Sequence, residues 1–515
     1  MRHLLLTVVL GLILMPAQAL AGTTLELAGT YASGLFDESA AEIVAFDPET
    51  KRAFVVNAHE GSVDVIDLAD IANPALVTTI AFMDYGDGVN SVSFCNGMLA
   101  VAVQGASKQD NGRVVVCDAD GNALADFEAG ALPDMVAFTP DGNYILCANE
   151  GEPNGEYSID PEGSVTIIDI SGGLDAATVA VADFTAFNGQ EAVLNEQGVR
   201  ISHPGSSAAQ DIEPEYIAVA PDSKTAFVAL QENNAIAVVD VASATVTNIF
   251  SLGLKDWAGL GLTLDASNKD DAINMQSWPV LGCYMPDAIA AYEAGGTVYV
   301  VTANEGDSRE YDTYVDEERV KDAVLDPEAF PNAAELQDEA ALGRIKFITD
   351  LSDTDGDGDL DRIVGFGGRS FSIYSADGEQ VFDSGDDFET IIAERYPEFF
   401  NTTDDESAFD DRSDDKGPEP EGVALGVVGG KTYAFIGLER MGGVMIYDIT
   451  DPSAPVFQDY VLNRNFAADP ATPEAGDLAP EGMYFVSADQ SPSGTPLLIT
   501  GCEMSGTTTV YEIVQ

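Results

Sequence analysis

Along most of this chain apolar and polar residues alternate with a period of two, in short runs punctuated by Gly, Pro and Asp. That alternation marks half-buried antiparallel strands. The runs recur in a unit of about forty to fifty residues, the period of a propeller blade. Each unit opens with an acidic or amide residue and an apolar strand: Glu42-Ile-Val-Ala-Phe46, Asn90-Ser-Val-Ser-Phe94, Asp134-Met-Val-Ala-Phe138, Glu215-Tyr-Ile-Ala-Val219, Asp287-Ala-Ile-Ala-Ala291, Glu421-Gly-Val-Ala-Leu425 and Glu481-Gly-Met-Tyr-Phe485. A turn such as Pro140-Asp-Gly-Asn143 leads to a second strand, as at Ala53-Phe-Val-Val56 or Thr297-Val-Tyr-Val-Val301. A third strand closes on Asp or Tyr, as at Ser62-Val-Asp-Val-Ile-Asp67 and Ala235-Ile-Ala-Val-Val-Asp240.

The last unit has three strands, ending at Thr507-Thr-Thr-Val-Tyr-Glu-Ile513, so Thr24-Leu-Glu-Leu27 is expected to supply its fourth and close the ring. Ser370-Phe-Ser-Ile-Tyr374 and Gln380-Val-Phe382 either complete a long fifth blade or belong to an eighth. The prediction is an all-β protein, a β-propeller of seven blades with eight as the alternative. Radial repetition of four-stranded sheets protects the strand edges that an open sheet would expose.

In a four-stranded meander each hairpin reverses direction, so the entry to the first strand and the exit from the second share a face. The long insertions, about 152–163, 253–285, 307–342 and 387–418, fall on that face. It also collects acidic exits such as Asn149-Glu150, Gln231-Glu232, Asn304-Glu305-Gly306-Asp307 and Glu439-Arg440. Long loops gathered on one side of a rigid scaffold are where function usually resides.

Composition narrows the partners. Acidic residues number 88 against 22 basic, a formal charge of −66. Nucleic acid and anionic membrane surfaces are excluded, and such self-repulsion predicts surroundings rich in salt or divalent cations. Arg2, the apolar run from Leu4 to Met15 and Ala17-Gln-Ala19-Leu-Ala21 read as a secretory leader over residues 1–21, leaving one propeller domain over 22–515. The run is too short to span a bilayer, so a periplasmic or extracellular protein without a transmembrane segment is expected. Five scattered cysteines without a Cys-x-x-Cys pair argue against zinc ribbons and thioredoxin-like chemistry.

The clearest chemical motif is Asp353-Thr-Asp355-Gly-Asp357-Gly358-Asp359-Leu-Asp361. Alternate carboxylates with a glycine at the sixth position wrap oxygen ligands around one hard cation, so Asp353, Asp355, Asp357, Asp359 and Asp361 read as a calcium loop, with a merely solvated acidic turn as the alternative. Its twelfth position is Val364 and its flanks read as strands, which implies a calcium-stapled turn and not a helix-loop-helix switch. If Arg344-Ile-Lys-Phe-Ile-Thr349 is a third strand, the loop lies on the face opposite the insertions. At the channel mouth Glu215, Asp287, Glu305, Glu421, Glu439 and Glu481 are candidates for a second divalent metal, with Arg309, Arg369, Arg440 and Lys416 able to hold a phosphate or carboxylate. The competing reading is an ion-pair lattice that fixes the blade entries. His59 and His203 are the histidines left after the leader, which excludes a multi-histidine zinc site, and no Gly-x-Ser-x-Gly, Walker or Gly-x-Gly-x-x-Gly motif is present. Trp257 and Trp278 read as anchors of a long loop.

Several segments together resemble the choice-of-anchor I propeller family. They are Leu264-Asp-Ala-Ser-Asn-Lys-Asp-Asp271, Trp278-Pro-Val-Leu-Gly282, Ala303-Asn-Glu-Gly-Asp-Ser-Arg-Glu-Tyr311, Phe366-Gly-Gly-Arg-Ser-Phe-Ser-Ile373, Arg412-Ser-Asp-Asp-Lys-Gly-Pro-Glu-Pro-Glu-Gly422 and Glu439-Arg-Met-Gly-Gly-Val444. That family includes mesenchyme-specific cell-surface glycoproteins and bacterial exported proteins, some described as alkaline phosphatases. The resemblance implies an exported propeller and makes Glu421, Glu481, Asp307, Arg309, Arg369 and Arg440 the motif positions of any metal-dependent phosphomonoesterase acting on a small anionic substrate. A non-catalytic propeller that binds a cell-surface ligand is the alternative.

Overall fold

The computed structural model describes residues 22–515, so the leader assigned to residues 1–21 lies outside the described residues. Among the described residues there are seven four-stranded sheets, and each begins with one of the seven acid- or amide-led strands, here Val44–Asp47, Gly88–Cys95, Pro133–Phe138, Ile217–Val219, Ile289–Ala294, Pro420–Val428 and Pro480–Val486. All strand pairs within these sheets are antiparallel. An apolar core fills the space between each sheet and the next. Phe54, Val56, Val101 and Val115 join the first two sheets, and Val44, Phe46, Leu497 and Val510 join the seventh back to the first. Such a closed circuit of inter-sheet cores is what makes the fold a β-propeller.

Thr24–Ala32 supplies the fourth strand of the last sheet, pairing antiparallel with Thr507–Val514 from Thr24 opposite Val514 to Ala32 opposite Thr507. Leu25 anchors its register, 6% exposed among Phe435, Ile446, Leu498 and Ile513; Leu27, on the same face two residues on, lies outside that core and is 53% exposed. Burying one such leucine contributes roughly 2 kcal/mol, and a one-residue slip would turn it outward.

In the fifth sheet the order is Ile289–Ala294, Thr297–Asn304, Ser370–Ser375, Gln380–Asp383. The segments that the sequence left between a fifth and an eighth blade therefore complete the fifth. The expectation of a third strand at 344–349 is corrected: Lys346–Ile348 pairs with Glu317–Arg319 in a two-stranded ribbon inside the insertion, and Thr349–Ser352 then turns helically into the aspartate loop. Three residues with a partner in the same insertion cannot compete with Ser370–Ser375, which pairs with the second strand along its length. The aspartate loop thus belongs to the connection between second and third strands, on the insertion-bearing face and not opposite it. Insertions 253–285 and 307–363 build a satellite core of their own around Trp257, Leu264, Val320, Phe330 and Phe347, so Trp257 is the loop anchor expected of it.

Candidate cation site in the channel

A recurring dipeptide aims the carboxylates inward. Proline precedes the acid at Pro133-Asp134, Pro214-Glu215, Pro286-Asp287, Pro420-Glu421 and Pro480-Glu481. In four of these units the residue before proline is left-handed: Leu132 (φ 49°), Met285 (φ 45°), Glu419 (φ 50°) and Ala479 (φ 54°). That conformation costs on the order of 1–2 kcal/mol for a residue with a Cβ. Bulges follow at Pro133, Pro420 and Pro480, a device that re-aims a side chain at a sheet rim. Neighbouring entries touch. A Cβ on Gly422 would lie 2.1 Å from the carbonyl oxygen of Glu481, and one on Gly482 would lie 2.5 Å from that of Glu42, so glycine is required after these two acids.

The result is a cavity of about 200 Å³ lined by Asn90, Asp134, Glu150, Glu215, Asp287, Glu421 and Glu481, with Tyr216 and Gln231. Among the described residues no Lys or Arg lines it, and the Oε2 atoms of Glu215, Glu421 and Glu481, out of reach of solvent, have no hydrogen-bond partner among them. Burial first, and then the charges of Glu232 and Asp287, hold the Glu215 carboxyl well above the ordinary range. Burial and Glu439 do the same to Glu421, burial and Glu42 to Glu481, and burial and Glu305 to Asp287. Asp134, where Lys108 partly offsets burial, is raised to about 6, and Glu42, by burial and Glu503, to about 8. Buried like charges of this kind either take up protons or are neutralised by a cation.

Beside the cavity lies a layer of paired charge around Glu305, Glu419 and Glu439. Glu419 is fully buried; its Oε1 accepts from Arg412 Nε at 2.9 Å, and its Oε2 lies 3.2 Å from Arg440 Nε. Burial opposes its ionisation, but Lys416, Arg412 and Arg440 outweigh it and hold the carboxyl at about 2. Asp307, Lys416 and Arg440 line a second pocket of about 230 Å³ here with Arg412, Asp415 and Lys346. Burial raises Asp307 to about 7 against the pull of Lys416.

The residues singled out from the sequence therefore separate. Glu421 and Glu481 face the axial cavity, and Asp307 and Arg440 lie in the adjoining layer. Arg309 is 2% exposed and held by Asp211 Oδ1 and Glu213 Oε2, both at 3.0 Å, and by Ser202 Oγ at 2.6 Å. Arg369 is 3% exposed; it binds Glu389 Oε1 at 2.8 Å and the carbonyls of Asp265, Ser413 and Asp415. Arg309 ties its insertion to the connection ahead of the fourth sheet, and Arg369 joins the 253–285 and 387–418 insertions. The ion-pair lattice and the acidic cavity thus coexist in separate layers. Asp134 and Glu150 were not among the metal candidates, although the Pro-Asp dipeptide at 133–134 carries the signal for the first.

In the aspartate loop, ligating atoms of Asp353, Asp355 and Asp361 lie within 4.8 Å of one another. Asp357 and Asp359 are not in that group. Asp353 already organises the turn by accepting from the N–H of Gly356 at 2.7 Å and of Gly358 at 3.0 Å, both glycines being left-handed. His59 Nδ1 is 2.8 Å from Glu38 Oε2. All five cysteines are free thiols, four of them buried.

The architecture and this geometry define a β-propeller with an acidic axial cavity and elaborated loops on one face. The chain belongs to the choice-of-anchor I domain family, whose model matches residues 42–452. It is 30% identical over 332 residues to the mesenchyme-specific cell surface glycoprotein of Strongylocentrotus purpuratus, covering 54% of this chain and 42% of that protein. It is 29% identical over 190 residues to Gigasin-3a of Magallana gigas, covering 35% of this chain and 66% of that protein. The match thus spans less than two thirds of either relative. Among solved structures it is similar to the Cps50 (Swd1) β-propeller domain of Myceliophteria thermophila, with 9% identity, a TM-score of 0.46 and coverage of 95% of this chain and 100% of that one. It is also similar to hydrazine synthase of Kuenenia stuttgartiensis, with 13% identity, a TM-score of 0.46 and coverage of 94% and 99%. No helix among the described residues is long and apolar enough to cross a membrane.

Proposed function

We propose that this protein is an exported, extracellular or surface-located binding propeller whose axial cavity takes a hard divalent cation, with calcium as the first candidate. The observation that carries this reading is the set of unpartnered, solvent-inaccessible Oε2 atoms of Glu215, Glu421 and Glu481 around a cavity without a lining cation. Oxygen-only donors suit calcium or magnesium and not the softer metals. The name of the Strongylocentrotus purpuratus relative, a cell surface glycoprotein, supports the location. A second calcium ion belongs to the aspartate loop through Asp353, Asp355 and Asp361, where it would staple the insertion. Calcium titration calorimetry tests both. Two classes of site are expected; Glu215→Gln with Glu421→Gln and Glu481→Gln abolishes one, and Asp353→Asn with Asp355→Asn abolishes the other. A triple Gln variant that binds as many ions as the parent refutes the cavity site.

Phosphomonoester hydrolysis is the finer enzymatic reading. A bound ion would polarise a phosphoryl oxygen, and the adjoining pocket with Arg440, Arg412 and Lys416 favours an anion nearby. Against it, Arg309 and Arg369 are spent within the fold and every base of that pocket is paired with a carboxylate, so ligand binding is the better supported function. Calcium-dependent turnover of p-nitrophenyl phosphate that is lost in Glu421→Gln reverses this preference.

A further inference from the structure

Lys416 occupies a singular position between the two charge layers. It reaches inward from the 387–418 insertion, and its Nζ lies 2.6 Å from Glu305 Oε1 and 3.1 Å from Glu419 Oε2 and donates to the carbonyl of Gly306. Its side chain is 12% exposed. One oxygen each of Glu305, Glu419 and Glu439 lie within 4.8 Å of one another, a spacing that ligands about 2.3–2.6 Å from a single hard cation would also show. The ammonium therefore holds two carboxylates of a cation-sized cluster, while Arg440 holds the third, Glu439, at 2.9 Å. Glu305 links this cluster to the cavity: its Oε2 accepts from Gln231 Nε2 at 2.8 Å, and Gln231 lines the cavity. One glutamate and one glutamine separate the ammonium from the ring whose buried oxygens have no partner.

We infer that Lys416 is a tethered counter-ion that sets how tightly the axial cavity holds a divalent cation. It shares the field of the same carboxylates, so it partly neutralises them and repels the incoming ion. This deepens the cation reading of the cavity and rests on it. At an effective dielectric of about 20, one unit charge acting on a divalent ion across about 10 Å changes affinity by more than tenfold. The consequence is an exchangeable ion in place of a permanently trapped one. A lysine that merely clamps the insertion would leave cavity affinity unmoved.

The test is calcium titration calorimetry in a background carrying Asp353→Asn and Asp355→Asn, with each variant repeated after Glu215→Gln, Glu421→Gln and Glu481→Gln so that only binding lost with the ring counts as the cavity's, and with circular dichroism confirming the fold. Lys416→Met tightens calcium binding at least tenfold. Adding Glu305→Gln to Lys416→Met removes one charge of each sign and returns the affinity to within threefold of the parent. Should Lys416→Met alone not fold, Glu305→Gln and the double variant differ by the same charge, and the double binds at least tenfold more tightly. Equal affinities in either comparison overturn the role of Lys416. A parent that binds no calcium in this background refutes the cavity reading and the counter-ion role with it, whereas a parent that binds with an affinity unmoved by Lys416→Met overturns the role of Lys416 alone.

Discussion

Metal-free protein should lose stability as pH rises from about 4 to about 8, and a divalent cation should reverse that loss. The perturbation is pH at fixed ionic strength. Asp134 moves from 3.8 to about 6 on folding and Glu42 from 4.5 to about 8. Both are raised, so the folded state holds these protons more tightly than the unfolded chain. Their favourable contribution is complete below the unfolded values and disappears as pH climbs through the folded ones. At about 1.4 kcal/mol per pH unit, ionising the two inside the fold costs on the order of 3 and 5 kcal/mol, before relaxation and water entry reduce it. Glu215, Asp287, Glu421 and Glu481 shift in the same direction. A cation that binds the ionised ring stabilises the folded state by mass action, and more at high pH because fewer protons compete. Thermal melts of the Asp353→Asn, Asp355→Asn background in EDTA and in millimolar calcium, at pH 5.5 and pH 8, read the effect. The expected outcome is a Tm in EDTA lower at pH 8 by several degrees, with a larger calcium-induced rise at pH 8 than at pH 5.5. A Tm in EDTA that climbs between these values, or a calcium gain equal at both, refutes the reasoning.

Other consequences are local. Leu25→Ala empties the seam between the closing strand and the last two sheets and should cost roughly 2–4 kcal/mol in urea unfolding; an unchanged midpoint would mean that Thr24–Ala32 does not hold the ring shut. Arg369→Met strands the buried carboxylate of Glu389, which is 1% exposed, and should destabilise by about 3–5 kcal/mol, partly rescued by adding Glu389→Gln. Gly422→Ala places a methyl against the Glu481 carbonyl and should lower both Tm and calcium affinity, whereas Gly430→Ala, with open space around its Cβ position, should leave calcium affinity alone. Chelation should speed proteolysis of the 349–363 segment in the parent and not in Asp355→Asn, as measured by limited digestion and mass spectrometry.

The repeat was legible because each blade begins with the same local grammar, an acid or amide followed by a short β-branched run, and because pairing with the next strand along the chain is decided locally. The fifth blade was harder to read for the opposite reason. Lys346-Phe-Ile348 looks like a blade strand, yet its partner Glu317–Arg319 lies within the same insertion, and the true third strand lies beyond the aspartate loop. Loop motifs were legible as chemistry and not as geometry. Arg309 and Arg369 carried the character of anion clamps, but Asp211 and Glu213 lie in the connection ahead of the fourth sheet and Glu389 in the 387–418 insertion, and no local pattern announces them. Glu421 and Glu481 were placed correctly at the channel because the meander fixes which strand ends share a face. The left-handed residues before proline, which complete the inward aim, have no signature beyond the proline itself.

The central claim is that a divalent cation sits on the propeller axis, and anomalous diffraction from crystals equilibrated with terbium tests it directly. The account predicts a peak inside the cavity bounded by Glu215, Glu421 and Glu481, absent when all three are changed to Gln. Peaks confined to the aspartate loop or the outer surface, with the axial cavity showing water alone, would contradict it.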